Sequence, residues 1–257
     1  MASPAHAAPA FLRLAAHPLR WRLMSELAAG DYRVRELVEL IGQPQNLLSY
    51  HLRLLRDGGL VTMRRSTFDA RDSYYRLDLD RCARALAATG AALHPALHSI
   101  LTAAGPVPPP APASAHRPAV LFTCTGNSAR SPIAEALLRH RAGGHVEVTS
   151  AGSHPRPHLH LDAARALREG YGIDLRDWRP RHLDSTAGRR FDYVISLCDK
   201  VREACSGIGG HPRRIHWSVP DPAAEKAGYP AFVRTAAEID TRIGHLIPVL
   251  TSQEASS

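Results

Sequence analysis

The chain has 257 residues and a formal net charge of +8. That length is expected to hold two modest domains, no run approaches the ~18 unbroken apolar residues of a membrane span, and residues 1–9 lack the basic start and apolar stretch of a signal peptide. The four cysteines are too scattered for a disulfide framework and leave redox or metal chemistry open, and the positive excess is shared by both halves, so charge alone does not mark a nucleic-acid domain.

Residues 1–9 read as a disordered tail. Pro9 to Ala28 carries Phe11, Leu14, Leu19, Leu23 and Leu27 at helical spacing, interrupted near Pro18. Val34, Leu37, Val38 and Ile41 continue the pattern in a short helix that Gly42-Gln43-Pro44 stops. A third helix puts Leu48, Leu52 and Leu55 on one face and Gln45, Asn46, Ser49, Tyr50 and Arg53 on the other, and Gly58-Gly59 ends it. Leu60–Thr67 and Ser73–Leu77 read as two strands around Asp69-Ala70-Arg71-Asp72, and Asp80–His98 as an Ala/Leu-rich helix. Helix, turn, polar-faced helix and basic hairpin together make a winged helix-turn-helix over residues 10–104.

Two surfaces of this domain suit DNA. Gln45, Asn46, Ser49, Tyr50 and Arg53 offer hydrogen-bonding groups to base edges in a major groove. Arg64, Arg65, Arg71 and Arg76 on the hairpin suit phosphates. The run Gln45–Val61 and the earlier Ala16–Leu23 resemble the recognition helix, following strand and opening helix of the ArsR/SmtB repressors, over about residues 10–100. The resemblance implies a homodimer on a near-palindromic operator. Where arsenite-sensing members often carry two thiols, this chain has Arg33 and Arg35, which cannot bind As(III). Cys82, the domain's one thiol, reads as a small buried apolar residue. His94 and His98 are interrupted by Pro95 and read as a solvated face, so no metal site is expected.

The Pro/Ala-rich segment 105–117 reads as an extended linker, because proline removes backbone donors and fixes φ. Residues 118–251 then alternate strand and helix: Ala119–Thr123, Pro132–Arg141, Val146–Val148, Leu161–Glu169, Phe191–Leu197, Arg214–Val219 and Phe232–Leu250, with a tail at 252–257. This alternation implies an α/β domain with a four-stranded parallel sheet covered on both faces and its site at the strand C-termini.

Cys124 falls at such a terminus and opens the run Cys124-Thr125-Gly126-Asn127-Ser128-Ala129-Arg130-Ser131-Pro132. Thr125, Gly126, Asn127, Ser128, Ala129 and Ser131 form a loop entering a helix, with Ser131 expected as cap and Pro132 in the first turn. Its amides and the helix N-terminus are arranged to bind a tetrahedral anion and to favour the thiolate. Arg130 can clamp two oxygens, Ser131 can hydrogen-bond the thiolate and Asn127 can lock the loop. Cys198 and Cys205, seven residues apart, read as a redox pair. Seven residues of helix would separate their Cα atoms by about 10.5 Å, beyond the ~7 Å limit of a disulfide, so the segment must unwind for them to join. His154, His158 and His160 read as part of a solvated, Pro-rich loop.

The cysteine loop, Ser150-Ala151-Gly152 and Trp217–Pro222 resemble the low-molecular-weight protein tyrosine phosphatase fold, over about residues 118–250. The resemblance implies that Asp221 of the Asp-Pro step is the general acid. Ala223-Ala224 replaces the aromatic residues that flank a phosphotyrosine ring, and the Cys198–Cys205 spacing is that of the thioredoxin-coupled arsenate reductases of this fold. That likeness implies a relay. Cys124 attacks arsenate, Cys198 attacks Cys124, Cys205 takes up the oxidation, and thioredoxin, rather than a bound cofactor, reduces the Cys198–Cys205 bridge. The expected protein is a cytoplasmic, arsenic-responsive repressor fused to an arsenate reductase, with operator DNA, thioredoxin and arsenate/arsenite as partners and no membrane. A regulator fused to a phosphatase, and a DNA-binding sensor whose second domain only binds an oxyanion, are the alternatives.

Overall fold

A computed structural model describes residues 8–94, 96–97, 117–204 and 213–252. The chain divides into two compact units, 1–108 and 109–257.

In the first unit α1 (Ala10–Ala15) and α2 (Pro18–Ala29) are separated where Pro18 enters the first turn of α2 and His17 caps it. A two-residue strand, β1 (Tyr32–Arg33), leads into α3 (Val34–Ile41), which ends at Gly42 with φ +71°, a conformation that costs glycine little. Helix α4 (Gln45–Asp57) follows, then β2 (Val61–Arg65), β3 (Ser73–Leu77) and α5 (Leu79–Leu93). The three strands form an antiparallel sheet in the order β1-β3-β2. Leu23, Leu37, Leu48, Leu52 and Leu55 are fully buried and make the core, each stabilising the fold by about 1.5–3 kcal/mol. Cys82 joins that core, and burial followed by the charge of Asp78 pushes its thiol up, in keeping with an inert apolar role.

Two expectations for this unit are shortened. The strand expected through Thr67 stops at Arg65, because Ser66 Oγ accepts from the amides of Phe68 and Asp69 and turns the chain. The helix expected to reach His98 stops at Leu93. His94 is extended at φ −158°, as the ring of the following proline demands. Of the pair His94/His98, the first lies just past the end of α5 and the second is outside the described residues.

The second unit is the expected parallel α/β domain. Strands β4 (Ala119–Cys124), β5 (Glu147–Gly152), β6 (Tyr193–Ser196) and β7 (Arg213–His216) lie in the order β5-β4-β6-β7, all parallel. Helices α6 (Arg130–Ala142), α7 (Leu161–Tyr171) and α9 (Tyr229–Ser252) enclose the face that carries Val120 and Phe122. The opposite face holds a smaller cluster of Ala119, Leu121, Ala151, Phe191 and Val194 against the single turn Leu183–Thr186. The short helix α8 (Asp199–Ala204) follows β6. Every residue of β4 is buried, which explains its unbroken apolar run. Among the described residues no helix is long and apolar enough to cross a membrane.

Candidate functional site

Cys124 is the last residue of β4, in register with Gly152 at the end of β5, so the loop after it opens at the C-terminal edge of the sheet. Its thiol is free and 2% exposed, with Sγ 2.9 Å from Ser131 Oγ. Ser131 is not the helix cap. Ala129 holds that position without a side-chain bond, and Ser131 sits inside the first turn, where its hydroxyl meets both the thiol and the Asn127 amide rather than a backbone N–H.

Asn127 is the one non-glycine residue with positive φ (+40°) among those described, a region asparagine tolerates better than most. It is fully buried and held on three sides. Its Nδ2 donates to Ser131 Oγ and Ser150 Oγ, both at 2.9 Å, and its Oδ1 accepts from the Arg181 amide at 2.8 Å. These bonds tie the loop to Ser150 of β5 and to the backbone of Arg181.

A strut behind the loop aims its amides. The backbone N–H groups of Ser153, His154, Arg156 and His160 donate to the carbonyls of Cys124, Thr125, Gly126 and Ser128 at 3.3, 2.9, 2.8 and 2.8 Å. In a planar trans peptide the N–H of the next residue points opposite to the C=O. The amides of Thr125, Gly126, Asn127 and Ala129 therefore turn away from the strut and form a concave ring of donors. His154 and His158 are exposed, as a solvated loop implies, while the backbones of His154 and His160 also belong to this strut. His160 caps α7 through Nδ1 and stacks on Phe232 at 4.3 Å. Gly152 permits the close approach: a Cβ there would lie 2.6 Å from Thr125 O and 2.9 Å from Asn127 N, both backbone atoms. Gly152→Ala is expected to push the loop out of register. Oxyanion turnover should fall about 100-fold, with a stability loss of roughly 1–3 kcal/mol, read by steady-state kinetics and thermal unfolding of the same sample.

Arg130 is 5% exposed; its Nη1 donates to Val219 O at 3.1 Å and its Nη2 to Asp221 Oδ2 at 3.0 Å. Burial alone would lower its pKa, but Cys198, Cys124, Asp221 and Asp199 around it outweigh that and raise it, so the guanidinium stays charged. The carboxyl expected to serve as acid is thus tied to the expected clamp, with its side chain 43% exposed at the rim.

Cys198 lies beside this cradle. It is 4% exposed, packs in one cluster with Cys124 and Val201, and its Sγ is 3.2 Å from Thr125 Oγ1. Thr125, expected only as an oxyanion-loop residue, also faces the second thiol. Cys205 lies outside the described residues. A buried acid that no sequence motif marks lies behind the loop. Glu135 on α6 is 1% exposed and accepts from Ser150 Oγ and Arg139 Nη2, each at 2.6 Å, from Trp178 Nε1 at 3.4 Å, and from Arg181. Ser150 joins it to Asn127. The signal was a lone acid inside Ile133-Ala134-Glu135-Ala136-Leu137-Leu138, a run otherwise wholly apolar.

In the first unit Gln45, Asn46, Ser49, Tyr50 and Arg53 are all exposed on α4, opposite buried Leu48, Leu52 and Leu55, with the Arg53 guanidinium 5.8 Å from the Tyr50 ring centroid. On the hairpin Arg65 is exposed and donates to Ala70 O, Arg64 and Arg76 are half-buried, and Arg71 is exposed and chelates Asp69. Arg33 and Arg35 both pair with Asp72, and Arg33 also pairs with Glu36. Where thiols are common in the resembling repressors, this chain has an ion-pair cluster.

A buried thiol at a strand end, a ring of amides and an arginine define the second unit as a cysteine-loop α/β domain. Residues 119–256, more than half of the chain, match low molecular weight phosphotyrosine protein phosphatases, and the chain belongs to that family. Residues 17–63 match bacterial regulatory proteins of the arsR family, so an arsR-type helix-turn-helix precedes the enzyme-like domain. Among relatives, an arsenate reductase of Brevibacillus brevis is 36% identical over 124 residues, spanning 48% of this chain and 90% of the relative. An arsenate reductase of Bacillus subtilis is 33% identical over 128 residues, spanning 48% of this chain and 91% of its own length. The solved structure of a thioredoxin-dependent arsenate reductase from Corynebacterium glutamicum is 32% identical, covering 66% of this chain and 76% of that chain with a TM-score of 0.45.

Proposed function

We propose that the protein is an arsenic-responsive DNA-binding regulator fused to an arsenate reductase that works through Cys124, Cys198 and Cys205. The observation that carries the reading is the second buried thiol at the cradle, with Cys198 Sγ held 3.2 Å from Thr125 Oγ1 and clustered with Cys124. A phosphatase has no use for it. The names of the relatives support the same choice of substrate.

In this reading the loop amides and Arg130 hold arsenate, and the Cys124 thiolate forms a bond to arsenic as one oxygen leaves as water, protonated by Asp221. For this the Arg130–Asp221 pair must loosen. Cys198 then attacks Cys124 Sγ. The S–As bond breaks and its electron pair stays on arsenic, so As(V) becomes As(III) while two thiols become one disulfide. Cys205 attacks Cys198 and frees the Cys124 thiolate. A dithiol protein of the thioredoxin type reduces the remaining bridge. Helix α8 begins one residue after Cys198, so the Cys198–Cys205 bridge requires its turns to open. The partners are then arsenate, a thioredoxin and operator DNA, and the protein works in the cytoplasm as a homodimer through its first unit. The deciding experiment is NADPH consumption with thioredoxin, thioredoxin reductase and arsenate. Wild type should turn over continuously and Cys205→Ser should stop after one turnover; ester hydrolysis without arsenate-dependent NADPH consumption would favour the phosphatase reading.

DNA binding rests on the exposed polar face of α4 and on the arginines of the hairpin. Arg64→Ala/Arg65→Ala is expected to weaken binding to every sequence and to flatten the slope of log K against log[salt] by about 1–2. Gln45→Ala or Ser49→Ala should instead relax base preference, by roughly 1–3 kcal/mol at the contacted pair. Fluorescence anisotropy on specific and random duplexes across a salt series separates the two.

A further inference from the structure

The relay requires that Cys198 be held toward Cys124. Thr125 touches the thiol, yet the segment after it is a helix of six residues that must later unwind. Asp199, the first residue of that helix, is fully buried. So is the group it faces: His216, 2% exposed at the end of β7, has Nε2 3.1 Å from Asp199 Oδ1. The other ring nitrogen, Nδ1, lies 2.9 Å from Ser196 Oγ and 3.0 Å from Ser196 O on β6. One imidazole therefore ties the first turn of α8 to the ends of two strands. The same stretch is pinned by backbone bonds from Leu197 N to Thr123 O at 2.8 Å and from Trp217 N to Ser196 O at 2.9 Å. His216 is also the last sheet residue before Trp217–Asp221, the segment that brings Val219 O and Asp221 to Arg130.

A carboxylate with no exposed surface is not retained at the start of a switching helix without a partner, since an unpaired buried charge is strongly destabilising. In the proposed reaction the loop, Arg130 and Asp221 meet the anion; Asp199 adds its charge near Arg130, and the imidazole of His216 bonds to Asp199 and Ser196. We propose that His216 is a positioning residue of the thiol relay: through Asp199 it holds the first turn of α8 in the conformation that presents Cys198 to Cys124, and its release accompanies the unwinding that lets Cys205 reach Cys198. The inference rests on the reductase reading and deepens it.

The test separates the cradle from the relay. In a Cys205→Ser background, arsenate-dependent formation of the Cys124–Cys198 disulfide is followed by rapid quench, alkylation and mass spectrometry in wild type, His216→Phe and His216→Gln. Protection of Cys124 from iodoacetate by arsenate, measured with Cys198→Ser added so that no disulfide can form, reads the cradle alone. In His216→Phe the disulfide is expected to form at least about tenfold more slowly, with the protecting arsenate concentration changed less than about twofold; His216→Gln, which keeps a side-chain amide, should recover much of the rate. Amide exchange of residues 199–204 in the reduced full-length protein gives a reading that needs no turnover: protection should drop in His216→Phe and return in His216→Gln. Equal loss of anion protection and disulfide rate, or an unchanged rate in both variants, overturns the proposal and leaves His216 a packing residue. If arsenate protects Cys124 in wild type but no disulfide forms there, the reductase reading itself fails and this role falls with it.

Discussion

Cys124→Ser is expected to abolish arsenate reduction while leaving the α/β unit folded and able to hold a tetrahedral anion. The substitution exchanges Sγ for Oγ at a position 2% exposed, where the neighbour is another hydroxyl, Ser131 Oγ, at 2.9 Å. Nothing in the packing changes by more than the size of one atom. The loop keeps the strut from residues 153–160, the Asn127 lock and Arg130, so anion binding should persist. What is lost is the nucleophile: an alcohol is far less acidic than a thiol, and an oxygen at this place cannot enter a disulfide. Removing such a group commonly lowers turnover by a factor on the order of 10⁴ or more. The coupled NADPH assay reads the loss, and a rise in melting temperature on adding inorganic phosphate reads the surviving cradle. Residual turnover within about a hundredfold of wild type would remove Cys124 from the nucleophile's place.

The cradle was legible in the sequence because its chemistry is concentrated in eight consecutive residues between an apolar run and a helical one. Periodicity placed β4 and α6 on either side of Cys124, and strand C-termini are where such α/β folds place their sites. The hairpin and recognition helix were legible for the same reason, since turn chemistry and a 3.6-residue repeat are local signals. What was hidden is what the tertiary fold brings from afar. The strut at 153–160 acts through backbone amides, which no side-chain pattern announces. The His216–Asp199 contact joins residues 17 apart across two strands. The two-residue strand β1 is too short to show alternation. Ser131 was assigned a capping role from its position alone, whereas a thiol and an amide compete for its hydroxyl. Arg181, whose backbone locks Asn127 and whose side chain reaches Glu135, lies in a stretch with no regular pattern at all.

That last pair carries the second large expected effect: Arg181→Met should destabilise the α/β unit more than Glu135→Gln does, although Glu135 is the more buried partner. The Glu135 side chain is 2% exposed, while those of Arg181 and Arg139 are 37% and 53% exposed. Taking away the carboxylate charge leaves two arginines that can turn to water, and the glutamine amide still offers an acceptor to Ser150 Oγ; the cost should be about 1–3 kcal/mol. Taking away Arg181 leaves a carboxylate that cannot turn to water and has only Arg139 to balance it. Breaking a buried pair in this way costs roughly 3–5 kcal/mol, and the remaining cation puts the expectation near the lower figure. Either change should also loosen Asn127, through Ser150 in one case and through the displaced 178–181 segment in the other, so oxyanion turnover should fall with both. The double variant should cost less than the sum of the two singles, by about 0.5–3 kcal/mol, because the charge left uncompensated by one substitution is removed by the other. Urea unfolding followed by the fluorescence of Trp178 and Trp217, in a Trp21→Phe background that silences the first unit, measures all four proteins. Strict additivity, or a larger loss in Glu135→Gln than in Arg181→Met, would show that the carboxylate serves packing rather than charge balance. The loop would then owe its shape to Asn127 and the strut alone.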